Sequence, residues 1–155
     1  MFVRFTFANG VGSDMTPTLE RQRQELEFCS ARSMALQASK GYAAPQTGDA
    51  YARALKLWEK LGSPSEFLQI PYGQSLYHVS RGELNLGLRL DEGLVQLSRQ
   101  RNDVDGLVLG HLSLGRDFHP AGRFTASRSH LEEALALYNS SSYHSRVQQA
   151  VVHPR

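Results

Sequence analysis

Along most of this chain the apolar residues recur with the period of a helix. Thr16 is a capping type and Pro17 suits a first helical position. Leu19, Leu26, Cys29, Met34 and Leu36 then mark a long helix to about Ser39. Gly41-Tyr42-Ala43-Ala44-Pro45 breaks it. A second helix is expected from about Gly48 to Leu61, with Ala50, Tyr51, Ala54, Leu55, Trp58 and Leu61 on one face. Ser63-Pro64-Ser65-Glu66 reads as a capping box that opens a third helix, to about Ser80. After a turn at Gly82 the pattern predicts a fourth helix over roughly Glu83 to Gln100. Asn102 is read as the cap of a fifth, to about Phe118, ended by His119-Pro120-Ala121-Gly122. A sixth is expected from Phe124 to Tyr138.

The two ends differ. Phe2 to Phe7 are β-prone and Asn9-Gly10 is a turn signal, but no second strand follows to pair with them. Residues 1–15 are therefore read as a leader arm. Ser140 to Ser142 make a polar break, after which Tyr143 to Val152 predicts a short seventh helix. The division is a helical-repeat domain over 16–142 and a terminal half-repeat over 143–155. The class is all-α, and the connections are short enough to make neighbouring helices antiparallel.

An offset of 40 residues superposes similar positions. Ala54, Leu94 and Ala134 align, as do Leu55, Val95 and Leu135, and Leu57, Leu97 and Leu137. Gly82 and Gly122 align at the turns. Each unit is then helix, turn, helix. Leu114, Gly115, Phe118, Gly122, Phe124, Leu131, Ala134 and Leu135 sit at tetratricopeptide consensus offsets, with His111 in place of Trp and Ser127 in place of Ala. The predicted architecture is a short α-solenoid of about three tetratricopeptide-like helix pairs.

The length of 155 residues fits one domain, and 41% hydrophobic with 21% charged residues fits a globular chain. No apolar run approaches the ~18 residues of a membrane span. The formal charge of +2 gives no electrostatic case for nucleic acid, and the arginines form no aromatic-interleaved stripe. A single cysteine, Cys29, excludes an internal disulfide and points to a reducing, cytoplasmic compartment.

Four strings carry a family likeness: KGYAAP (Lys40 to Pro45), AYARAL (Ala50 to Leu55), SRGEL (Ser80 to Leu84) and HLEEALALY (His130 to Tyr138). Over about Leu19 to Arg155 the chain resembles the tetratricopeptide-like region of large bacterial regulators that carry a predicted ATPase or an adenylate or guanylate cyclase domain. The chain departs from that family in having no Gly-x-x-x-x-Gly-Lys-Ser/Thr phosphate loop and no cyclase domain. The resemblance therefore implies the repeat scaffold and a regulatory or interaction role, without the family's enzymatic activity. The last residues fall where a further helix pair is expected, which suggests a piece of a larger architecture.

Candidate chemistry is sparse. The six histidines include no pair at i, i+4 and no His-Glu-x-x-His, so no metal site is expected. Cys29 has no adjacent base and reads as a buried structural thiol. Asp91 with Glu92, and Glu132 with Glu133, are adjacent on helices and read as solvated faces. Trp58 is assigned to packing. Tyr72, Tyr77 and His78, on the first helix of a pair, and Arg116 are the candidates for partner contact.

The expectation is a non-catalytic protein–protein interaction scaffold with a protein or peptide partner and no cofactor. The alternative is a truncated structural remnant of a larger ATPase- or cyclase-type protein, with no dedicated ligand. The uncovered face of the last repeat predicts self-association there.

Overall fold

The computed structural model describes residues 17–140. The leader arm, Thr16 and the terminal half-repeat lie outside the described residues. The elements are α1 (Pro17–Lys40), α2 (Pro45–Lys60), a 3-10 turn (Ser65–Phe67), α3 (Gln69–Ser80), α4 (Leu84–Arg101), α5 (Val104–Phe118) and α6 (Phe124–Ser140). No strand occurs among the described residues, so the class is all-α.

Three helix ends differ from expectation. α2 starts at Pro45, not near Gly48, because proline fits the first helical turn where its missing N–H is not needed. Ser63 does not open a capping box. Its φ of 57° places it in the left-handed region, and its N–H bonds the Trp58 carbonyl at 2.8 Å. Glu66 reaches Arg23 at 2.7 Å instead. Asn102, with φ 53°, closes α4 and does not cap α5. Asp103 caps α5, accepting from the Gly106 N–H at 3.0 Å.

The turns repeat. Gly41, Gly62, Gly82, Asn102 and Gly122 have φ of 91°, 79°, 78°, 53° and 71°. They stand 20 or 21 residues apart. Three of these turns close with the same long backbone bond, from the N–H of Ser63, Asp103 and Arg123 to the carbonyls of Trp58, Ser98 and Phe118, at 2.8–3.0 Å. That bond is the mark of a Schellman ending, which needs a left-handed residue just past the helix.

The chain divides into two compact units between Arg81 and Gly82, inside the second predicted helix pair. In the first, α2 packs on α1 and on α3. Leu26, Tyr51, Ala54, Trp58 and Ile70 are buried. The Trp58 indole N–H donates to the Pro64 carbonyl at 2.9 Å, as its packing role requires. α1 departs from its predicted apolar stripe. Of Leu19, Leu26, Cys29, Met34 and Leu36, only Leu26 is buried; Cys29 is half-buried, and Leu19 and Met34 are exposed. The inward face is Leu26, Ser30 and Ser33, at helical spacing. Ser33 satisfies its hydroxyl on the Cys29 carbonyl at 2.7 Å, so a small polar side chain can be buried there.

In the second unit α5 packs on α4 and on α6. Val95, Leu114 and Phe118 form the core, with Leu88, Leu107 and Ala126 against it. Small residues set the helix separations. Gly110 lies under Val95 and Gly115 under Leu131, where a Cβ would overlap the neighbouring side chain. The Ser127 hydroxyl donates to the Gly115 carbonyl at 2.6 Å.

Candidate functional site

Tyr72, Tyr77 and His78 lie on α3 and are half-buried. Two tyrosines interlock α2 with α3. The Tyr51 ring covers Gly73 of α3, and the Tyr77 ring covers Gly48 of α2. Tyr51 is fully buried and its hydroxyl donates to Gln37 Oε1 at 2.8 Å. Burial, with Tyr42 and Tyr72 nearby, raises its pKa above the usual phenol value, so the hydroxyl holds its proton more tightly. Tyr77 meets His78 edge-on at 5.2 Å, and the Arg81 guanidinium stands over the Tyr77 ring at 5.6 Å. The His78 Nε2 is 2.8 Å from the Gln74 amide nitrogen, so that ring nitrogen is the acceptor. The structure thus brings Tyr77 and His78 together, with one face of Tyr77 spent on packing.

Arg116 belongs to the second unit. Its Nε donates to Asp117 Oδ1 at 2.6 Å, and its Nη2 lies 3.7 Å from Asp91 Oδ2. Asp91 and Asp117 are about 1% and 0% exposed. Asp91 therefore corrects the expectation of a solvated acidic face. Glu92 is exposed as expected, but its neighbour points inward in register with Gly87, Leu94 and Ser98. A buried carboxylate requires a counter-charge, and Arg116 supplies one to both aspartates.

A histidine pair joins α5 to α6. The Nδ1 atoms of His111 and His130 are 3.0 Å apart, and the His130 ring stacks on Phe118 at 5.4 Å. Arg123 lies over Phe118 at 4.3 Å. Burial lowers the proton affinity of both imidazoles. For His111 the neighbouring His130 and Arg99 add to this and Glu133 opposes it; for His130 Arg123 adds while Glu92 and Glu133 oppose. A search along single helices does not find this pair, because its members come from different helices. The signal present was periodic: His111 is in register with Leu114 and Phe118, and His130 with Ser127 and Ala134. Among the described residues no three His, Cys, Asp or Glu side chains come close enough to hold a metal ion.

One flank of α6 carries a shallow concavity of about 370 Å³, lined by His119, Phe124, Ser127, Arg128, Leu131, Glu132 and Leu135, with Ser127 and Leu131 also touching Gly115 of α5. Phe124, Leu131 and Leu135 are 64%, 41% and 59% exposed. Arg128 and Glu132 form an exposed pair at 2.7 Å across one helical turn. No described helix is long and apolar enough to cross a membrane. Comparison with family models, with curated proteins and with solved structures returns no match.

Proposed function

We propose that the chain is a non-catalytic protein-interaction scaffold of tetratricopeptide type, its helix pairs stacked as a short solenoid in a bacterial cytoplasmic regulator. The observation that supports this reading is the turn series, left-handed residues at 41, 62, 82, 102 and 122. Helix–turn units of constant length are how repeat proteins build faces of side chains for extended ligands. The ligand would be a peptide or helix from another protein. Tyr72, Tyr77 and His78 on α3 are the residues assigned to contact it, and Arg116 on α5 is a separate candidate within its own unit; aromatic and arginine side chains are the types that anchor such contacts.

The test is selection of a displayed peptide library on the immobilised full chain, followed by calorimetric titration of the enriched peptides. Enrichment of a shared motif is expected. Tyr72→Ala should weaken it at least about tenfold with the circular dichroism spectrum retained. Failure to enrich any peptide would favour the remnant reading. Nucleotide hydrolysis or stoichiometric metal in the purified chain would overturn the scaffold reading.

A further inference from the structure

We propose that the partly exposed flank of α6 formed by Phe124, Arg128, Leu131 and Leu135 pairs antiparallel with the same flank of a second copy of this chain. Phe124, Arg128, Leu131 and Leu135 follow one another at spacings of 4, 3 and 4 residues. That is the seam spacing of a two-helix coiled coil. The three apolar members are at least 41% exposed, and they line one continuous concavity. Single exposed leucines are ordinary, but three large apolar side chains on one strip mark a contact surface.

The charges select the occupant. Arg128 and Glu132 are 81% and 62% exposed, one turn apart beside the apolar residues. A two-fold axis crossing α6 between residues 129 and 130 sets Phe124 against the partner's Leu135. The same axis lays Arg128 over the partner's Leu131, with its guanidinium beside the partner's Glu132. Each apolar residue then meets an apolar surface, and each charge meets its opposite, twice by symmetry. The arginine stem covers a leucine while its head stays in water. A parallel pairing would instead set Arg128 against the partner's Arg128. The strip is therefore self-complementary in one orientation only. With 17 residues α6 is about 25 Å long, and one helix face per copy buries less than a standard interface, so the affinity should be micromolar or weaker. This contact goes beyond the scaffold reading and does not depend on it.

The experiment is sedimentation equilibrium of the full chain across a concentration series, with R128E and E132R prepared separately. Both positions are exposed, and helix content by circular dichroism checks that each variant folds. The wild type should dimerise. Each reversal alone sets like charges across the axis and should raise the dissociation constant at least about tenfold. Mixing the two variants in equal amounts sets opposite charges at every contact and should restore the dimer. Wild-type chain that stays monomeric throughout overturns the proposal and leaves the strip to residues 141–155 or to another protein. A dimer indifferent to both reversals also overturns it.

Discussion

At the scale of single residues, the His111–His130 contact is a proton-counting problem. Nδ1 atoms 3.0 Å apart need one ring to donate and the other to accept. Two protonated rings would set donor against donor. Both imidazoles hold protons less tightly than an ordinary histidine near pKa ~6.5, so as the pH falls the unfolded chain takes up protons first. Stability is thus full above about pH 6.5 and declines as the pH drops through the lowered folded values. The melting temperature followed by circular dichroism should fall between about pH 7.5 and about pH 5, and should fall less in His130→Gln. Equal slopes would remove the pair as the cause. The tyrosine–glycine contacts give a second residue-scale outcome. Tyr51 is fully buried and tied to Gln37, so it cannot leave Gly73. Tyr77 is half-buried and can swing away from Gly48. Gly73→Ala should cost about 1–3 kcal/mol in chemical denaturation, and Gly48→Ala clearly less.

At the scale of elements, the α4–α5 corner shows how adjacent residues divide a task. Asn102 takes the left-handed conformation that ends α4, and Asp103 takes the extended conformation that starts α5. Sequence preference named a cap within one residue of the true one, since both types serve as N-caps and only asparagine readily adopts positive φ. Asp103→Ala should lower stability by about 1 kcal/mol, because the Gly106 N–H loses its acceptor. Asn102→Gly should be neutral or stabilising by a few tenths of a kcal/mol, as glycine carries no Cβ in that turn. Urea midpoints at unchanged slope check both. Gains and losses in the opposite order would mean that Asn102 is the cap after all.

At the scale of the whole chain, the division between Arg81 and Gly82 sorts the helices into two sets of three, α1–α3 and α4–α6. Each set has its own central helix, α2 or α5, packed on both neighbours. Native-state hydrogen exchange should reflect this. Core amides of α1 to α3 should share one opening free energy, and those of α4 to α6 another. The ends of helices should open first. A single opening energy across all six helices would contradict two cooperative units.

The six helices were legible because their causes are short-range. Periodicity acts over a few residues, and a left-handed turn residue closes a helix through a bond only five positions long, as Ser63 to Trp58 shows. The sequence alone therefore determined the all-α class, and the turns at Gly41, Gly82 and Gly122. It did not determine which polar side chains go inside. Asp91 is buried because Arg116, from another helix, meets it, and α1 buries Ser30 and Ser33 where Cys29 and Met34 were expected, with Ser30 accepting from Gln69 of α3 at 3.1 Å. His111 and His130 meet only once α6 has rotated its inner face onto α5. Burial of a polar group depends on what the opposite helix brings, and that is decided by helices that meet across tens of residues of chain, beyond the reach of any local pattern.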